Sequence, residues 1–330
     1  MTRIRALPLF ALMLAAALLA GCARAPVEAP AEPAAPDAPR PLADSFPASR
    51  ARALEGTLPF FYDLYTFQGD SGTTEVVASF AVQVRQLHRE RVRAGARYRF
   101  NVGLTLADQA TGEVHQVHDS VYLTVPDPLP GDHLLHAFVE TRVPPSRSMV
   151  QRVVMLDAPE PGNGQLYSHP FTIPDYSGPQ LMLSDVALGL PGRFGGWRRG
   201  DIELALLPGA HFPGGQFDVY YEVYNLPAGH PYTTEIAFTP IRDGVSVESR
   251  AVRVRFTGTS DAVHNVLEEH RQVAAPDARG RYWMTVTVTD EETGATVQQA
   301  KFLQVRDWGE DATLVPTCPV RAGAARPGCG

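Results

Sequence analysis

The amino-acid sequence predicts an all-β fold: two tandem antiparallel β-sandwiches behind an N-terminal leader and a tether. From residue 57 onward, apolar residues alternate with polar ones, as half-buried antiparallel strands require. Turn signals that contain Gly, Pro or Asp separate these short segments. Near residue 176 the series of strands starts again. A core-forming segment of this length has room for about two domains.

Residues 1–21 have the pattern of an export signal. Arg3 and Arg5 supply the positive charge, residues 7–20 are apolar, and small residues precede the cleavage point. The apolar run is shorter than the ~18 residues that a membrane-spanning helix needs. We therefore expect this leader to be removed.

The leader ends in Leu19-Ala20-Gly21-Cys22, which resembles the Leu-Ala-Gly-Cys box of bacterial lipoprotein signal peptides at all four positions. The resemblance implies cleavage between Gly21 and Cys22, with diacylglycerol and a further acyl chain such as palmitate on Cys22. Two or three acyl chains anchor a protein stably, whereas one chain does so only marginally. Ala23 follows the cysteine, and in this family that residue is compatible with the outer membrane. The alternative is an ordinary cleaved signal with a chance cysteine.

Residues 22–50 are predicted to be a disordered tether. Residues 23–50 contain seven prolines and nine alanines and few large apolar residues. Such a composition cannot bury a core and favours extended polyproline II. An extended tether could hold the following domains up to about 80 Å from a bilayer.

The first sandwich is predicted over residues 51–175. Residues 76–84 and 98–106 each alternate between an apolar face and a mostly polar one, and residues 108–112 (Asp-Gln-Ala-Thr-Gly) form a turn signal. Further strands are predicted at 114–125, 133–143, 149–157 and 165–173, with prolines between them.

The second sandwich is predicted over residues 176–308, followed by a tail at 309–330. Residues 261–272 are the single helical turn expected in this half. Strands are predicted at 181–188, 202–207, 217–224, 232–241, 252–256, 282–289 and 297–305. We expect the joint near 174–180 to be sensitive to proteases.

The two halves can be aligned at a nearly constant offset, with a strand or turn recurring at each anchor. The paired anchors are Phe80 and Phe217, Tyr98 and Tyr232, Asp108 and Asp243, Asp132 and Asp261, and Asp157 and Asp290. This pattern predicts two copies of one immunoglobulin-like or fibronectin-like sandwich, although chance similarity of β patterns competes with that interpretation. The Cys…Trp…Cys core of antibody domains is absent.

A weaker resemblance covers about residues 176–308. Leu183-Ser184-Asp185, followed by residues 221–226 (Tyr-Glu-Val-Tyr-Asn-Leu), is similar to the β-rich C-terminal region of GWxTD-domain proteins. Gly196-Trp197 is followed by Arg-Arg-Gly, so the motif that names the family is missing. The resemblance implies a β-sandwich and transfers no activity.

Charge and cysteine content limit the functional classes. The net charge is −7, and it becomes about −9 once Arg3 and Arg5 leave with the leader, which argues against a nucleic-acid partner. Lys301 is the single lysine, so nearly all cations are Arg. Cys318 and Cys329 could close a small disulfide loop in an oxidising compartment.

Each motif that suggests chemistry has a simpler structural interpretation. Residues 69–72 (Gly-Asp-Ser-Gly) resemble a protease nucleophile turn, but no matching His segment precedes them, and a turn between strands explains them better. Residues 115–119 and 133–136 each hold two His at i and i+3, which point to opposite faces of a strand, so exposed or edge histidines are expected.

The remaining motifs are equally weak. Residues 199–201 spell Arg-Gly-Asp, a tripeptide that recurs by chance. The acidic clusters at 268–270 and 307–311 are expected to be solvated surface, with weak Ca²⁺ binding as the alternative. The sequence therefore predicts no catalytic residue, no metal ligand and no cofactor.

Tyr220 and Tyr224 lie opposite the apolar face of their predicted strand. If exposed with Tyr232 and Trp283, they would form a partner surface. The function expected is a lipid-anchored protein of the cell envelope, in the outer membrane, with a non-catalytic role in binding, adhesion or scaffolding. Its partners would be the bilayer, through acylated Cys22, and an envelope protein or polysaccharide. The alternative is an envelope hydrolase or an accessory subunit of an envelope enzyme.

Overall fold

The structure is a computed structural model that describes residues 52–53, 56–191, 196–208, 215–276 and 279–305. The predicted leader, the whole predicted tether with Cys22, the tail at 309–330 with Cys318 and Cys329, and the acidic cluster at 307–311 lie outside the described residues. The described part is made of strands, with three short 3₁₀ turns and no α-helix, which confirms the all-β prediction. Within it, no helix has the length and apolar character needed to cross a bilayer.

The first half of the described chain is a sandwich of two sheets. Strands β3, β4 and β8 form one sheet, and β10, β9, β6 and β7 form the centre of the other, which β1, β2 and β5 extend. All pairs are antiparallel except β2 with β10. The strands are β1 (Arg52–Ala53), β2 (Gly56–Thr57), β3 (Phe61–Gln68), β4 (Thr74–Gln83), β5 (Glu90–Val92), β6 (Gly95–Asp108), β7 (Val114–Val125), β8 (Leu134–Val143), β9 (Ser146–Asp157) and β10 (Asn163–Ile173).

The second half is also a sandwich of two antiparallel sheets. Strand β15 pairs with β11 and β12 on one side and with β19 on the other, and β14 and β13 continue this sheet beyond β12. Strand β16 pairs with β17 and β18 on one side and with β20, then β21, on the other. The strands are β11 (Met182–Leu183), β12 (Ala187–Pro191), β13 (Trp197–Arg199), β14 (Ile202–Leu206), β15 (Gln216–Tyr224), β16 (Pro231–Arg242), β17 (Val245–Ser246), β18 (Val252–Thr259), β19 (Val266–Ala274), β20 (Gly280–Asp290) and β21 (Thr296–Val305).

The two sandwiches share one pattern of strand pairing. The pairs β4–β8, β6–β7, β6–β9 and β9–β10 of the first correspond to β15–β19, β16–β18, β16–β20 and β20–β21 of the second. The anchor pairs of the sequence alignment fall in corresponding places, for example Phe80 in β4 and Phe217 in β15. The structure thus shows two tandem sandwiches of fibronectin-like connectivity.

Each sandwich has its own apolar core. The first core lies between the two sheets of the first half and includes Phe80, Phe100 and Leu104. The second includes Phe217, Phe238 and Met284 in the corresponding position. The predicted boundary at 175/176 falls in the connection between β10 and β11.

The prediction of a helical turn at 261–272 was wrong. Residues 266–274 form strand β19, which pairs along its whole length with β15. In this strand Leu267, Glu269 and Val273 are buried and the intervening residues are more exposed. That alternation has the period of a strand, and the pairing with β15 outweighs the helical propensity of the Leu-Glu-Glu segment.

Strands β4 and β15 depart from the predicted half-buried pattern because both of their faces are buried. In β4, Val77, Ser79 and Ala81 are as inaccessible as Val76, Ala78 and Phe80 on the core side. In β15, every residue from Phe217 to Tyr224 is buried. A strand buried on both sides needs a third layer, and the other sandwich supplies it.

Candidate functional site

The two sandwiches meet through the outer faces of the β3–β4–β8 and β11–β15 sheets, and this contact holds most of the unusual side chains. A separate apolar cluster fills it, drawn from both halves of the chain. Its buried members are Tyr65, Phe67 and Val77 from the first sandwich and Ala187, Trp197, Leu204, Leu206 and Tyr220 from the second. The sheets therefore stack in four layers, and we call this contact the interface.

Aromatic rings form the centre of the interface. The rings of Phe67 and Trp197 stack with centroids 5.2 Å apart, and Tyr220 meets the edge of Trp197 at 5.5 Å. The hydroxyl of Tyr65 crosses the interface and donates to the Leu207 carbonyl at 2.8 Å. Aromatic pairs of this geometry add about 0.5–1.5 kcal/mol each beyond the area that they bury.

A buried ionic cluster lies next to these rings. Arg199 Nε donates to Glu222 Oε1 at 2.6 Å, and Nη2 donates to Oε2 at 3.1 Å. The Nη1 of Arg199 lies 3.0 Å from Glu75 Oε1 on β4 of the first sandwich. Burial opposes the charge of Arg199, but the hydrogen bond and charge of Glu222 outweigh it, and the pKa of Arg199 is raised.

Tyr220 and Tyr224 complete the ionic cluster. Their hydroxyls donate to the two carboxylate oxygens of Glu222 at 2.8 and 2.7 Å. Burial, followed by the charge of Glu222, raises the pKa of both phenols, so they remain donors at neutral pH. The Tyr224 hydroxyl also accepts the backbone N–H of Gln68 at 2.8 Å, which links the cluster to β3.

The prediction of an exposed partner surface at Tyr220 and Tyr224 was wrong. Both side chains are almost fully buried: Tyr220 packs against Phe67 of the first sandwich, and Tyr224 packs against Tyr176 in the connection between the sandwiches. Tyr232 belongs to the core of the second sandwich, and Trp283 packs against Phe302 on another sheet. The aromatic residues therefore bind another part of the same chain.

A second group of polar side chains, centred on Asp185, binds the connection between the sandwiches to the first sandwich. Asp185 Oδ2 accepts hydrogen bonds from the backbone N–H and the hydroxyl of Thr66, at 2.8 and 2.6 Å. The Tyr176 hydroxyl lies 2.8 Å from the Thr66 hydroxyl, and Gln299 donates to the other oxygen of Asp185. Burial raises the pKa of Asp185, although these hydrogen bonds and the charge of Lys301 act in the opposite direction.

A cleft of about 590 Å³ opens beside the ionic cluster. Arg142 lies at its wall, 2.6 Å from Asp70 and 3.2 Å from Glu75. The charged and imidazole groups that line it are Asp70, Glu75, Glu222, Asp261, Glu268, Arg142, Arg199 and His264. With five carboxylates against two guanidinium groups, the cleft is acidic.

Two of the cleft's carboxylates do not take part in the interface. Asp261 and Glu268 are exposed, and within the described ranges neither has an ion-pair partner. Partial burial and the charge of Glu222 raise the pKa of Glu268. The polar side chains of the lining are carboxylates, guanidinium groups, the imidazole of His264 and the amide of Gln68. It can therefore bind cationic or hydroxyl groups.

The Ser motif lies in a turn, and the Arg-Gly-Asp tripeptide begins at the last residue of β13 and continues into the turn before β14. Residues 70–72 form a 3₁₀ turn between β3 and β4, as predicted, with Ser71 at φ 55°. Arg199 of the Arg-Gly-Asp tripeptide is bound to Glu222 and Glu75 inside the interface. In the described part of the chain, no hydrogen bond joins Ser71 to a histidine that could act as a general base. Arg199 is held by two carboxylates and is therefore not presented for recognition by a partner.

The histidine prediction was partly wrong. His115 and His118 lie on β7 at the sheet edge as expected, but His133 and His136 are buried. His136 Nδ1 lies 3.1 Å from the Leu206 carbonyl across the interface, and burial lowers the pKa of His136 to about 4. In the described ranges, no three His, Cys, Asp or Glu side chains are arranged to hold a metal ion.

The acidic cluster at 268–270 is only partly surface. Glu269 is buried, accepts a hydrogen bond from the Tyr232 hydroxyl, and pairs with Arg271 at 2.6 Å. Burial raises the pKa of Glu269. Because β19 alternates, Glu269 points inward while its neighbour Glu268 faces the cleft.

The chain was compared with family models, curated proteins and solved structures. No family model and no curated protein matches the chain. Among solved structures, red sea bream transglutaminase is similar at TM-score 0.20 and 11% identity, over 74% of this chain and 31% of that one. A calcium-binding mutant of Bacteroides uniformis beta-glucuronidase 2 gives TM-score 0.22 and 10% identity, over 74% of this chain and 28% of that one. The chain thus spans under a third of either protein, and likenesses of this size carry no functional argument.

Proposed function

We propose that this chain is a lipoprotein of the bacterial cell envelope with a non-catalytic role in binding or scaffolding. The observation that carries the proposal is the four-residue match at Leu19-Ala20-Gly21-Cys22, at the end of an export leader. Acylated Cys22 anchors the chain to the outer membrane, and the Pro/Ala-rich tether holds the sandwiches away from the bilayer.

The organisation of the sandwiches supports a binding role. The buried aromatic and ionic groups are used to fix one sandwich on the other. This gives the tether a single stiff body to carry. A stiff body at the end of a long tether suits capture or spacing of a partner.

We place the partner site at the acidic cleft. Asp261 and Glu268 face it and are free of the interface, so a partner can reach them. Their charge favours an envelope protein that presents Arg or Lys, or a polysaccharide that presents hydroxyl groups.

The anchor is tested by metabolic labelling with a fatty-acid analogue. The wild type should be labelled, and Cys22→Ala should not, because its side chain offers no thiol for the thioether. Label on both proteins would refute the lipid anchor.

The partner site is tested by chemical crosslinking and pulldown from native membranes. Asp261→Asn/Glu268→Gln should lose the crosslinked partner that the wild type retains. Asp243→Asn, on the exposed turn after β16, is the matched control and should keep it. If the cleft variant and the control retain the partner equally, the site lies elsewhere.

A further inference from the structure

Lys301, the single lysine of the chain, lies on β21 of the second sandwich but contacts the first. Its Nζ is 2.6 Å from Asp63 Oδ2 on β3 and 4.1 Å from the centre of the Tyr65 ring. The lysine side chain is 11% exposed and that of Asp63 is 25% exposed. The pair therefore joins the two sandwiches at a place from which most water is excluded.

The carboxyl of Asp63 is held in a fixed orientation. Its Oδ1 accepts the backbone N–H of Leu64 at 3.0 Å, which leaves Oδ2 turned to the lysine. A donor on Oδ1 would also stabilise negative charge on that oxygen if a nucleophile added to the carboxyl carbon.

A second carboxyl lies close to the pair. Gln299, two residues before Lys301 on the same face of β21, donates to Asp185, and the charge of Lys301 acts on that carboxyl. Burial raises the pKa of Asp185, which favours a protonated form that can pass a proton to a leaving oxygen.

We propose that Lys301 and Asp63 condense into an isopeptide bond that links the two sandwiches covalently. A proton moves from the ammonium to the carboxylate, and the neutral Nζ adds to Cγ of Asp63. The Nζ–Cγ bond forms and the Cγ–Oδ2 bond breaks. The oxygen leaves as water. Its two hydrogens come overall from the original ammonium, because Asp185 takes a proton from the nitrogen to replace the one that it gives to the oxygen, so no oxidant or other reactant is needed.

Two features of the site favour this condensation. Groups held in reactive contact can have effective concentrations of about 10⁵ M or more, which offsets the preference of water for the separate acid and amine. Partial desolvation also penalises the ion pair relative to the neutral amide. Arginine cannot react in this way at neutral pH because its guanidinium remains protonated, so a lysine is required here.

The single lysine makes the test direct. The full-length protein, purified from membranes with its acyl groups, is denatured and digested with an endoproteinase that cleaves only after lysine. The bond predicts that the wild type stays uncut. Cleavage at Lys301 would release the segment from residue 302 onward, and complete cleavage would overturn the proposal.

Trypsin digestion with mass spectrometry identifies the bonded carboxyl. We expect a branched peptide that joins residues 53–85 to residues 282–306, lighter than their sum by one water. An uncut wild type without this peptide would overturn the proposal, because the lysine would then be blocked by another group.

Two variants serve as controls. Asp63→Ala should restore cleavage at Lys301, and because the digestion is done on denatured chains, this readout does not require the variant to fold. Lys301→Arg keeps the positive charge but should yield no branched peptide.

Discussion

At the scale of single residues, Glu222 is the centre of the interface. Its carboxylate accepts hydrogen bonds from Arg199, Tyr220 and Tyr224. Its backbone N–H donates to the Ser184 hydroxyl oxygen at 2.9 Å. The carboxylate is almost fully buried, so water cannot replace it as the hydrogen-bond acceptor of these three side chains. Removing one member of a buried ion pair leaves the other charge buried without a partner. The loss of folding free energy is therefore larger than the net stabilisation that the pair itself provides.

We predict that Glu222→Gln lowers the free energy of unfolding by about 3 kcal/mol, near the low end for a broken buried pair because Glu75 still binds Arg199. Urea denaturation measures the loss. Glu203→Gln is the control, since it breaks the neighbouring pair with the exposed Arg198 and should cost about 1 kcal/mol or less. Equal losses in the two variants would show that the buried pair has no special role.

The pH dependence of stability should come partly from His136. Its folded pKa of about 4 lies below the ordinary 6.5, so the unfolded state binds the proton more readily between these values. The contribution of His136 is fully present above pH 6.5 and is lost as the pH falls, by up to about 3 kcal/mol.

We therefore expect His136→Gln to flatten the loss of stability between pH 7.5 and pH 5, measured by urea denaturation. Asp185 and Glu269, whose pKa values are raised, contribute with the opposite sign, so the difference between wild type and variant isolates the histidine. His118→Gln, at an exposed position on β7, should leave the profile unchanged. A profile for His136→Gln that matches the wild type would contradict the prediction.

At the scale of strands, the sequence was sufficient for the fold and insufficient for the interface. The period-two pattern and the turns at 108–112 and 290–294 predicted the strands and hairpins, because these depend on local alternation and on Asp and Gly in fixed turn positions. The stacking of β4 on β15 joins residues more than a hundred positions apart, for which no local pattern exists. The signal that was present is the composition of the outer face of each strand. Apart from Glu75 and Glu222, which both pair with Arg199, these faces carry mainly uncharged residues, such as Val77, Ser79 and Ala81 in β4 and the two tyrosines of β15.

Substitution of Trp197 on β13 tests whether the packing of the interface couples the two sandwiches. We expect Trp197→Ala to cost about 3–5 kcal/mol, because the indole is fully buried between Phe67 and Tyr220. The loss should fall on the interface, so thermal unfolding should change from one transition to two as the sandwiches melt separately.

Trp283→Ala is the matched control for this substitution. Trp283 is half-buried and packs against Phe302 on the other sheet of the second sandwich, away from the interface. Its loss should lower the melting temperature less and keep a single transition. Two transitions already present in the wild type would contradict the coupling of the sandwiches.

At the scale of the whole molecule, the connection between the sandwiches behaves as part of the folded body. The Pro174 carbonyl accepts the hydroxyl of Thr74 at 2.6 Å, and the Tyr176 carbonyl accepts the side-chain amide of Gln68 at 3.1 Å. Further along, Asn225 donates to the carbonyls of Gly178 and Gln180, both at 2.8 Å. A protease needs an extended segment that can detach from its surroundings, and this segment is bonded at every second or third residue.

We therefore predict that limited proteolysis cuts the native chain within residues 23–50 first and leaves residues 174–180 intact, in contrast to the sensitivity that the sequence alone suggested. Mass spectrometry of the fragments gives the cleavage positions. Asn225→Ala should expose the joint, because two of its carbonyls lose their donor, and cleavage near Gly178 should then increase several-fold. Asn265→Ala, an exposed position on the neighbouring loop, is the control and should retain the wild-type pattern. Early cleavage at 174–180 in the wild type would mean that the sandwiches are joined by a free hinge, and the four stacked sheets would then have to separate readily in solution.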